Sequence, residues 1–142
     1  MVKTLRIHGF PHAERRALAG CQDLGDITGC PGIVFEVKGG DAARNASDAQ
    51  IAAWMVETEV ERVNARAEVG VLVVQRRGVG AQNAHRWWAH ITSRTLTALM
   101  EPSIALFDEA PDVPVRLLLG DVTQLLRWAG YGTPLEAEAV AS

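Results

Sequence analysis

The chain has 142 residues, of which 48% are hydrophobic and 22% charged, a composition typical of a globular protein and not of a disordered one. Its length fits one domain with a single core, and no apolar run approaches the roughly 20 residues that a membrane span requires. A formal net charge of −3, with an isoelectric point of about 5.8, argues against binding to nucleic acid through bulk charge alone.

The N-terminus and the two cysteines bear on where the protein works. Met1–His8 lacks the apolar stretch and the small-residue cleavage site of a signal peptide, so we expect a cytoplasmic protein. Cys21 and Cys30 have neither the Cys-x-x-Cys spacing nor the second pair of ligands that a zinc site requires. Because the cytoplasm disfavours disulfides, we expect both thiols to serve as packing residues.

The first part of the chain predicts a short helix followed by a hairpin. A helix or turn is predicted at Thr4–Ile7, and Ala13–Ala19 fits either a strand or a short helix. Gly25–Thr28 and Ile33–Lys38 flank the turn-forming residues Gly29–Gly32, which predicts a β-hairpin. The second of these strands is too apolar for an exposed position, so we expect it to be buried.

A long amphipathic helix is predicted at Ser47–Ala67. Small apolar residues recur there at three- and four-residue spacing and predict a narrow stripe that packs closely against the sheet: Ala49, Ala52, Ala53, Val56, Val60, Val63 and Ala67. Ser47 is the candidate N-cap, and Gln50 three residues later would complete a capping box. The acidic residues of this helix are expected on its solvated face: Glu57, Glu59 and Glu61.

The second half of the chain alternates strands and helices. Its predicted elements are, in order, the buried strand Val69–Gln75, a loop Val79–His85, the strand Arg86–Thr92, a helix Arg94–Met100 capped by Ser93, the strand Val113–Leu118 and a helix Asp121–Trp128. A helix that joins two buried strands favours parallel pairing of those strands. The chain therefore predicts an α/β fold with a central mixed β-sheet flanked by helices.

The second strand of the predicted hairpin carries residues that suggest chemistry. Alternation along a strand places Val34, Glu36 and Lys38 on one face and the more apolar neighbours on the other. Burying a carboxylate and an ammonium on an otherwise apolar strand costs several kcal/mol unless something compensates. If a tight turn closes the hairpin, Asp26 falls opposite Glu36.

Two carboxylates this close repel each other, and each would have a raised pKa unless a cation lay between them. Mg²⁺ fits such a position, because it prefers oxygen ligands and keeps waters when one or two carboxylates hold it. A water activated by such an ion next to Lys38 would supply the parts for phosphodiester hydrolysis. The alternative is a surface hairpin whose Glu–Lys pair contributes less than about 1 kcal/mol.

At these residues the sequence resembles the PD-(D/E)XK nuclease superfamily, through Gly25-Asp26-Ile27, a short turn, and then Ile33-Val34-Phe35-Glu36-Val37-Lys38. More narrowly, it is similar over residues 9–92 to the Holliday junction resolvase-like proteins of actinobacterial phages. The strings that carry this likeness are Gly9-Phe10-Pro11-His12-Ala13-Glu14-Arg15-Arg16, the helix Trp54–Asn64, the strand Gly70–Val74, and Arg76-Arg77-Gly78.

The resemblance implies a restriction endonuclease-like fold, with a single nuclease domain at 1–142, a catalytic core at 9–92 and a C-terminal strand and helix extension at 101–142. It implies metal ligands at Asp26, Glu36 and the Val37 carbonyl, with Lys38 as the catalytic lysine. Superfamily members commonly add an acidic residue from an N-terminal helix, but residues 1–8 contain no Asp or Glu. That acid is absent, replaced by Glu14, or supplied by something else.

Other polar and aromatic residues are candidates for contacts with a substrate or a partner. Four arginines are candidate phosphate contacts, or else ordinary solvated side chains: Arg15, Arg16, Arg76 and Arg77. Gln50 either faces the metal site from the start of its helix or serves only in the cap. Of Trp87 and Trp88, one is expected in the core, and the other at a dimer interface or stacked on a base. The four histidines lack metal-ligand spacing and are assigned no role.

These features predict a metal-dependent endodeoxyribonuclease that uses Mg²⁺, with Mn²⁺ as a substitute. The leading hypothesis is a Holliday junction resolvase that acts as a homodimer on four-way DNA junctions, since two opposed cuts call for two active sites. The alternatives are a nuclease that acts on DNA ends or flaps in repair or phage replication, and a non-catalytic DNA-binding module that retains the fold. No membrane association is expected, and a phage-encoded protein would act in the cytoplasm of its host cell.

Overall fold

The computed structural model describes residues 1–17, 25–101, 110–136 and 138. The helices are α1 (Val2–Ile7), α2 (Gly40–Arg44), α3 (Asp48–Asn64), α4 (Ser93–Met100) and α5 (Leu119–Trp128), with a 3₁₀ helix at Ala81–Arg86. The strands are β1 (Glu14–Arg15), β2 (Ile27–Thr28), β3 (Ile33–Lys38), β4 (Val69–Val74), β5 (Trp88–Thr92) and β6 (Pro114–Leu118). The packing role predicted for Cys21 lies outside the described residues.

Four strands form one mixed sheet in the order β3-β4-β5-β6. β3 and β4 run parallel, with Glu36 opposite Leu72, and α2 and α3 lie in the connection between them. β5 pairs antiparallel with β4, and β6 pairs antiparallel with β5. The predicted α/β fold, a mixed sheet flanked by helices, is confirmed, and so is the parallel pairing across the helical connection.

The two faces of this sheet bury different sets of side chains. The main core lies on one face, where its largest buried members include Leu5, Phe10, Phe35, Ile91, Leu119 and Leu126. A smaller cluster on the opposite face packs Leu72 and Val74 against α3. Strand alternation explains the division, and we call the second face, which carries Glu36 and Lys38, the α3 face.

The predicted hairpin forms only in part. β2 pairs in a regular antiparallel ladder with β1, whereas β3 pairs with β4. The backbone carbonyl of Asp26 accepts from the N–H of Arg16 at 2.8 Å, and the side chain of Asp26 accepts from the N–H of Val37 at 2.8 Å. A carboxylate thus takes the place that a backbone carbonyl would hold in a ladder between β2 and β3. The prediction of a regular hairpin was therefore wrong, although the two segments do lie side by side.

Helix α3 forms where it is predicted but turns a different face to the sheet. Ser47 is confirmed as its N-cap, since the Ser47 hydroxyl accepts from the N–H of Gln50 at 3.1 Å. Of the stripe predicted to pack inward, Ala67 is buried just beyond the end of the helix, but the members within α3 face solvent instead, with Val56, Val60 and Val63 exposed by 67%, 54% and 60%.

The side chains that α3 buries or half-buries against the sheet include Ile51, Trp54, Met55, Thr58 and Glu61. Trp54 and Met55 remove more apolar surface from water than alanine and valine do, so they decide the rotation of the helix. Glu61 lies on the same face as Trp54 and is 2% exposed. Its predicted position on a solvated face was therefore wrong.

The remaining elements differ from the predictions mainly at their ends. The 3₁₀ helix Ala81–Arg86 occupies most of the predicted loop at 79–85 and extends one residue into the strand predicted to begin at Arg86, so β5 begins at Trp88. Thr92, not Ser93, caps α4, because the Thr92 hydroxyl accepts from the N–H of Thr95 at 3.1 Å. Within the described ranges, none of the helices combines the length and the hydrophobicity that crossing a membrane would require.

Two single residues fulfil their predicted packing roles. Trp87 is 5% exposed in the main core, and its indole N–H donates to the Val79 carbonyl at 2.9 Å, so one of the paired tryptophans is a core residue. Cys30 is a buried thiol of the same core, where burial raises its pKa to about 11. Such a thiol carries almost no thiolate at neutral pH, which leaves it a packing residue.

Candidate functional site

Asp26 is held against the outer edge of β3, the edge away from β4. Its N–H donates to the Phe35 carbonyl at 3.0 Å, and its carboxylate accepts from the N–H of Val37 at 2.8 Å. Gly25, immediately before it, has a φ of 86°, and a side chain there would come within 2.6 Å of Val34. Glycine is therefore required for Asp26 to approach the strand this closely.

Glu36 and Lys38 lie on the α3 face, as alternation along β3 predicts. Glu36 is 7% exposed, and one of its carboxylate oxygens lies 2.6 Å from the Lys38 ammonium. The same ammonium lies 3.4 Å from a carboxylate oxygen of Glu57 and 5.7 Å from the centre of the Trp54 ring. α3 thus fixes the position of Lys38 from above the sheet through a charge and an aromatic ring.

Glu61 is a third carboxyl at this position and the residue that sequence reasoning missed. Its side chain hydrogen-bonds to Glu36, and it lies near Gly25, where an added Cβ would be 3.7 Å from a Glu61 oxygen. The missed signal is helical spacing, because Glu61 follows Trp54 by seven residues and therefore shares its face. We call Asp26, Glu36 and Glu61 together the carboxylate cluster.

Burial sets the electrostatics of this cluster. It raises the pKa of Glu36, and the charge of Asp26 raises that pKa further, while hydrogen bonds from Lys38 and Glu61 lower it. Burial also acts to lower the pKa of Lys38, but the hydrogen bonds and charges of Glu36 and Glu57 outweigh it, so the Lys38 pKa is raised. Lys38 is therefore a fixed ammonium at neutral pH. A carboxyl cluster beside one ammonium favours the approach of a further cation.

The donor set of the carboxylate cluster fits a hard cation. Among residues 1–17, 25–101, 110–136 and 138, no three His, Cys, Asp or Glu side chains are placed to hold one metal ion together, and this includes the three members of the cluster. Mg²⁺ does not require three, because it keeps several waters when one or two carboxylates bind it. Asp26 and Glu36 supply oxygens of this kind. The Val37 carbonyl lies on the Asp26 side, since the N–H and C=O of one strand residue point the same way.

The other predicted site residues lie around this cluster or away from it. Glu14 is exposed on β1, opposite Thr28. Arg15 is exposed, whereas Arg16 is half-buried and its Nε donates to the Gly25 carbonyl at 3.1 Å, next to Asp26. The exposed Gln50 takes part in the cap through its backbone N–H.

Arg76 and Arg77 follow β4, away from the carboxylate cluster. The Arg76 guanidinium lies 4.3 Å from the centre of the Trp88 ring, and Arg77 is exposed. Trp88, the second tryptophan of the pair, is half-buried on the α3 face, where it packs against the smaller cluster and also lies under the Arg76 guanidinium. Sequence reasoning did not connect these two residues.

Comparisons of this chain with protein-family models, with curated proteins and with solved structures find no match. The interpretation of the site therefore depends on the residues themselves.

Proposed function

We propose that the chain is a metal-dependent endodeoxyribonuclease of the PD-(D/E)XK type. The observation that carries the proposal is the placement of Asp26, Glu36 and Lys38 together at one edge of β3, although they lie on two separate segments of the chain. Keeping the buried Glu36 carboxylate close to the half-buried Asp26 carboxylate costs several kcal/mol of folding free energy unless positive charge compensates it. A cation bound by the two carboxylates would offset this cost, and in the proposal the same cation takes part in catalysis.

In this proposal Asp26 and Glu36 hold Mg²⁺, with the Val37 carbonyl as a further oxygen donor. When bound, the ion would neutralise charge on the scissile phosphate and lower the pKa of a water molecule. Lys38 has three N–H donors, of which two point to Glu36 and Glu57, leaving a third for a phosphate oxygen or the attacking water. Glu61 is a positioning residue, because its hydrogen bond to Glu36 orients that carboxylate.

The proposed substrate is a four-way DNA junction, and the proposed active form is a homodimer. Cleavage of two opposed strands requires two active sites, which a two-fold symmetric dimer provides. The exposed Val56, Val60 and Val63 of α3 form an apolar strip that a second copy would cover. Light scattering at micromolar concentration, with and without junction DNA, tests the dimer, and a strict monomer in both conditions would refute it.

A non-catalytic DNA-binding module is the second candidate. It is favoured by one observation, namely that within the described ranges no three His, Cys, Asp or Glu side chains, the carboxylate cluster included, are placed to hold one metal ion together. In such a protein, Lys38 and the carboxylates would serve only to hold β2, β3 and α3 together.

Cleavage of a labelled four-way junction, compared with a linear duplex of the same sequence, tests the proposal. We expect the junction to be cut in Mg²⁺ or Mn²⁺, the duplex to be cut much less, and neither to be cut in EDTA. The variant Glu36→Gln serves as the matched control and should not cut. Preferential cutting of ends or flaps would indicate a nuclease with another substrate, and binding without cutting in either metal would indicate the non-catalytic module.

A further inference from the structure

An open groove of about 670 Å³ lies beside α3, over the half of the sheet that α3 leaves uncovered. Its lining includes four arginines and one aspartate, together with a tryptophan and a histidine: Arg44, Arg76, Arg77, Arg116, Asp48, Trp88 and His90. Arg44 is paired with Asp41, so the other three arginines against Asp48 give the local excess of positive charge, in a chain whose net charge is −3. We call this open groove the arginine groove.

Two of these arginines stack on the same indole. The guanidinium carbons of Arg76 and Arg116 lie 4.3 Å and 4.2 Å from the centre of the Trp88 ring. A guanidinium packed on an aromatic ring keeps the N–H groups at its edges, and that planar fork matches the oxygens of a phosphate. Within the described ranges, neither of these guanidiniums, nor that of Arg77, takes part in an ion pair. Their positive charges remain available to an anion.

Two rows of paired residues run across the sheet from Glu36 and Lys38 on β3 towards the arginine groove. One row runs across the four strands as Glu36, Leu72, His90 and Arg116, and the next runs as Lys38, Val74, Trp88 and Leu118. Residues paired across strands point to the same face, so all of these side chains belong to the α3 face. Three strand intervals of about 4.8 Å separate Glu36 from Arg116, or about 14 Å along the row.

α3 lies between the cluster and the groove. Its residues Trp54 and Glu57 contact Lys38 on one flank, while Ala52 and Met55 line the groove on the other. The two regions meet at the end of the strands, where Gln75 lines the groove and donates its backbone N–H to the Lys38 carbonyl at 2.9 Å. A chain of phosphates at the cluster can therefore continue into the groove around the start of α3.

We propose that the arginine groove binds the phosphodiester backbone of a DNA strand that extends from the carboxylate cluster, an inference that rests on the proposed nuclease function. It assigns phosphate contacts to Arg116 and Arg76 and makes Trp88 the residue that positions both guanidiniums. A strand of DNA carries one phosphate per nucleotide, and each phosphate offers two non-bridging oxygens, so the strand supplies the repeated anion that several separate arginine forks require. An acidic protein segment is the competing occupant, and the experiment below distinguishes it.

Binding of a fluorescently labelled four-way junction in EDTA tests the inference without any cleavage. We expect Arg116→Ala to weaken binding about tenfold at moderate salt, because one charged hydrogen bond is lost. The salt dependence of the binding constant should become shallower by about one unit of slope, the signature of one lost phosphate contact. Arg116→Lys should retain the slope but recover only part of the affinity, since lysine keeps the charge and loses the planar fork.

Lys3→Ala is the matched control, because it removes one exposed positive charge on α1, an element that packs on the other face of the sheet. Arg116 is exposed, so its replacement should leave the fold intact, which circular dichroism checks. Equal affinity and equal salt slope for Arg116→Ala and Lys3→Ala would overturn the inference. So would binding of a labelled polyglutamate peptide that depends on Arg116 while DNA binding does not.

The two proposals fail in different ways in these experiments. A wild-type protein that cuts junctions in Mg²⁺ but binds them independently of Arg116 contradicts the groove assignment and leaves the nuclease proposal standing. A protein that binds junctions through Arg116 but cuts nothing supports the groove as a DNA-binding surface and contradicts the nuclease proposal.

Discussion

Helix α3 separates two regions of one sheet face that handle charge in opposite ways. On the β3 flank, the buried Glu36 and Glu61 and the half-buried Asp26 concentrate carboxyl groups beside a single ammonium. On the other flank, Arg76 and Arg116 stack on Trp88 in a groove open to solvent. The sheet itself is continuous between them, with paired residues running from one region to the other.

The difference shows what burial does to a charged group. A buried carboxylate must find a proton, an ammonium or a metal ion, because water does not solvate it. A guanidinium that is open to solvent is still hydrated, so it loses little hydration free energy when an anion binds. In the proposed function, the buried flank accordingly holds a cation in a fixed geometry, and in the further inference the open flank binds a polyanion reversibly.

The largest expected effect comes from Lys38→Ala, which removes the ammonium from the acidic flank. Single-turnover cleavage of a junction should fall by about 10²–10³-fold, or about 3–4 kcal/mol, if Lys38 stabilises developing charge. Junction binding in EDTA should change little, since one contact among many carries a small share of the affinity. Lys3→Ala replaces the other lysine of the chain. This variant is the control and should cut normally. Equal cutting by Lys38→Ala and the wild type would show that Lys38 takes no part in catalysis.

His90 shows how strongly the basic flank resists a further positive charge. It is 7% exposed, and burial together with the charge of Arg116 lowers its pKa to about 4 from the ordinary 6.5. The unfolded chain therefore binds this proton more readily between pH 6.5 and 4, so the folded state loses stability as the pH falls through that window. The loss attributable to His90 is on the order of 3 kcal/mol at about 1.4 kcal/mol per pKa unit.

Urea denaturation of the wild type and His90→Gln at pH 7 and pH 4 measures this loss. The free energy of unfolding should decrease more steeply in the wild type, because glutamine does not titrate. Parallel pH profiles for the two proteins would show that His90 is not held neutral by the fold.

Substitution of Glu61 tests whether the carboxylate cluster stabilises the fold when no metal ion is present. Glu61→Ala should lower the free energy of unfolding in EDTA by about 1–3 kcal/mol, because it leaves the buried Glu36 without one of its hydrogen bonds. Glu61→Gln keeps the volume and a hydrogen-bond donor, so its loss should be smaller. If Glu61→Ala were instead more stable than the wild type, repulsion between the carboxyl groups would outweigh their hydrogen bond.

Glu57 gives the smallest effect, because it lies at the open rim of the same flank. Its side chain is 55% exposed, and its ion pair with Lys38 is 3.4 Å long. Glu57→Gln should change the free energy of unfolding by less than about 1 kcal/mol, and 1 M salt should remove the change. A larger effect that persists at high salt would show that the ion pair of Glu57 with Lys38 is shielded from solvent, as a buried pair would be.

Local sequence patterns predicted most of the fold. The alternation along β3, the apolar run of β4 and the helix between them each depend on near neighbours, so the parallel pair and the mixed sheet followed from the sequence. The proximity of Asp26 to β3 was also expected from the length of the turn, although the contact is made by a side chain and not by a ladder. The catalytic and metal-binding roles of Asp26, Glu36, Val37 and Lys38 stay predictions.

The features that sequence reasoning missed depend on contacts between distant segments. The rotation of α3 is set by the packing of Trp54 and Met55 against Leu72 and Val74, which buries Glu61 and exposes the valine strip. Trp88 and Arg116 meet because β5 and β6 pair antiparallel, with His90 opposite Arg116. More than 20 residues separate the two strands in the sequence. No short-range pattern around Trp88 indicates that pairing.

Binding of Mn²⁺, followed by electron paramagnetic resonance of the free ion, tests most directly whether Asp26 and Glu36 form a metal site. Mn²⁺ takes the same carboxylate, carbonyl and water ligands as Mg²⁺ and gives a readout that does not depend on cleavage. We expect the wild-type protein to bind Mn²⁺ and the variants Asp26→Asn and Glu36→Gln to lose this binding. Asp48→Asn removes an exposed carboxylate from the other flank of α3 and should retain it. Equal Mn²⁺ binding by all four proteins, or no binding by the wild type, would contradict the proposed metal site.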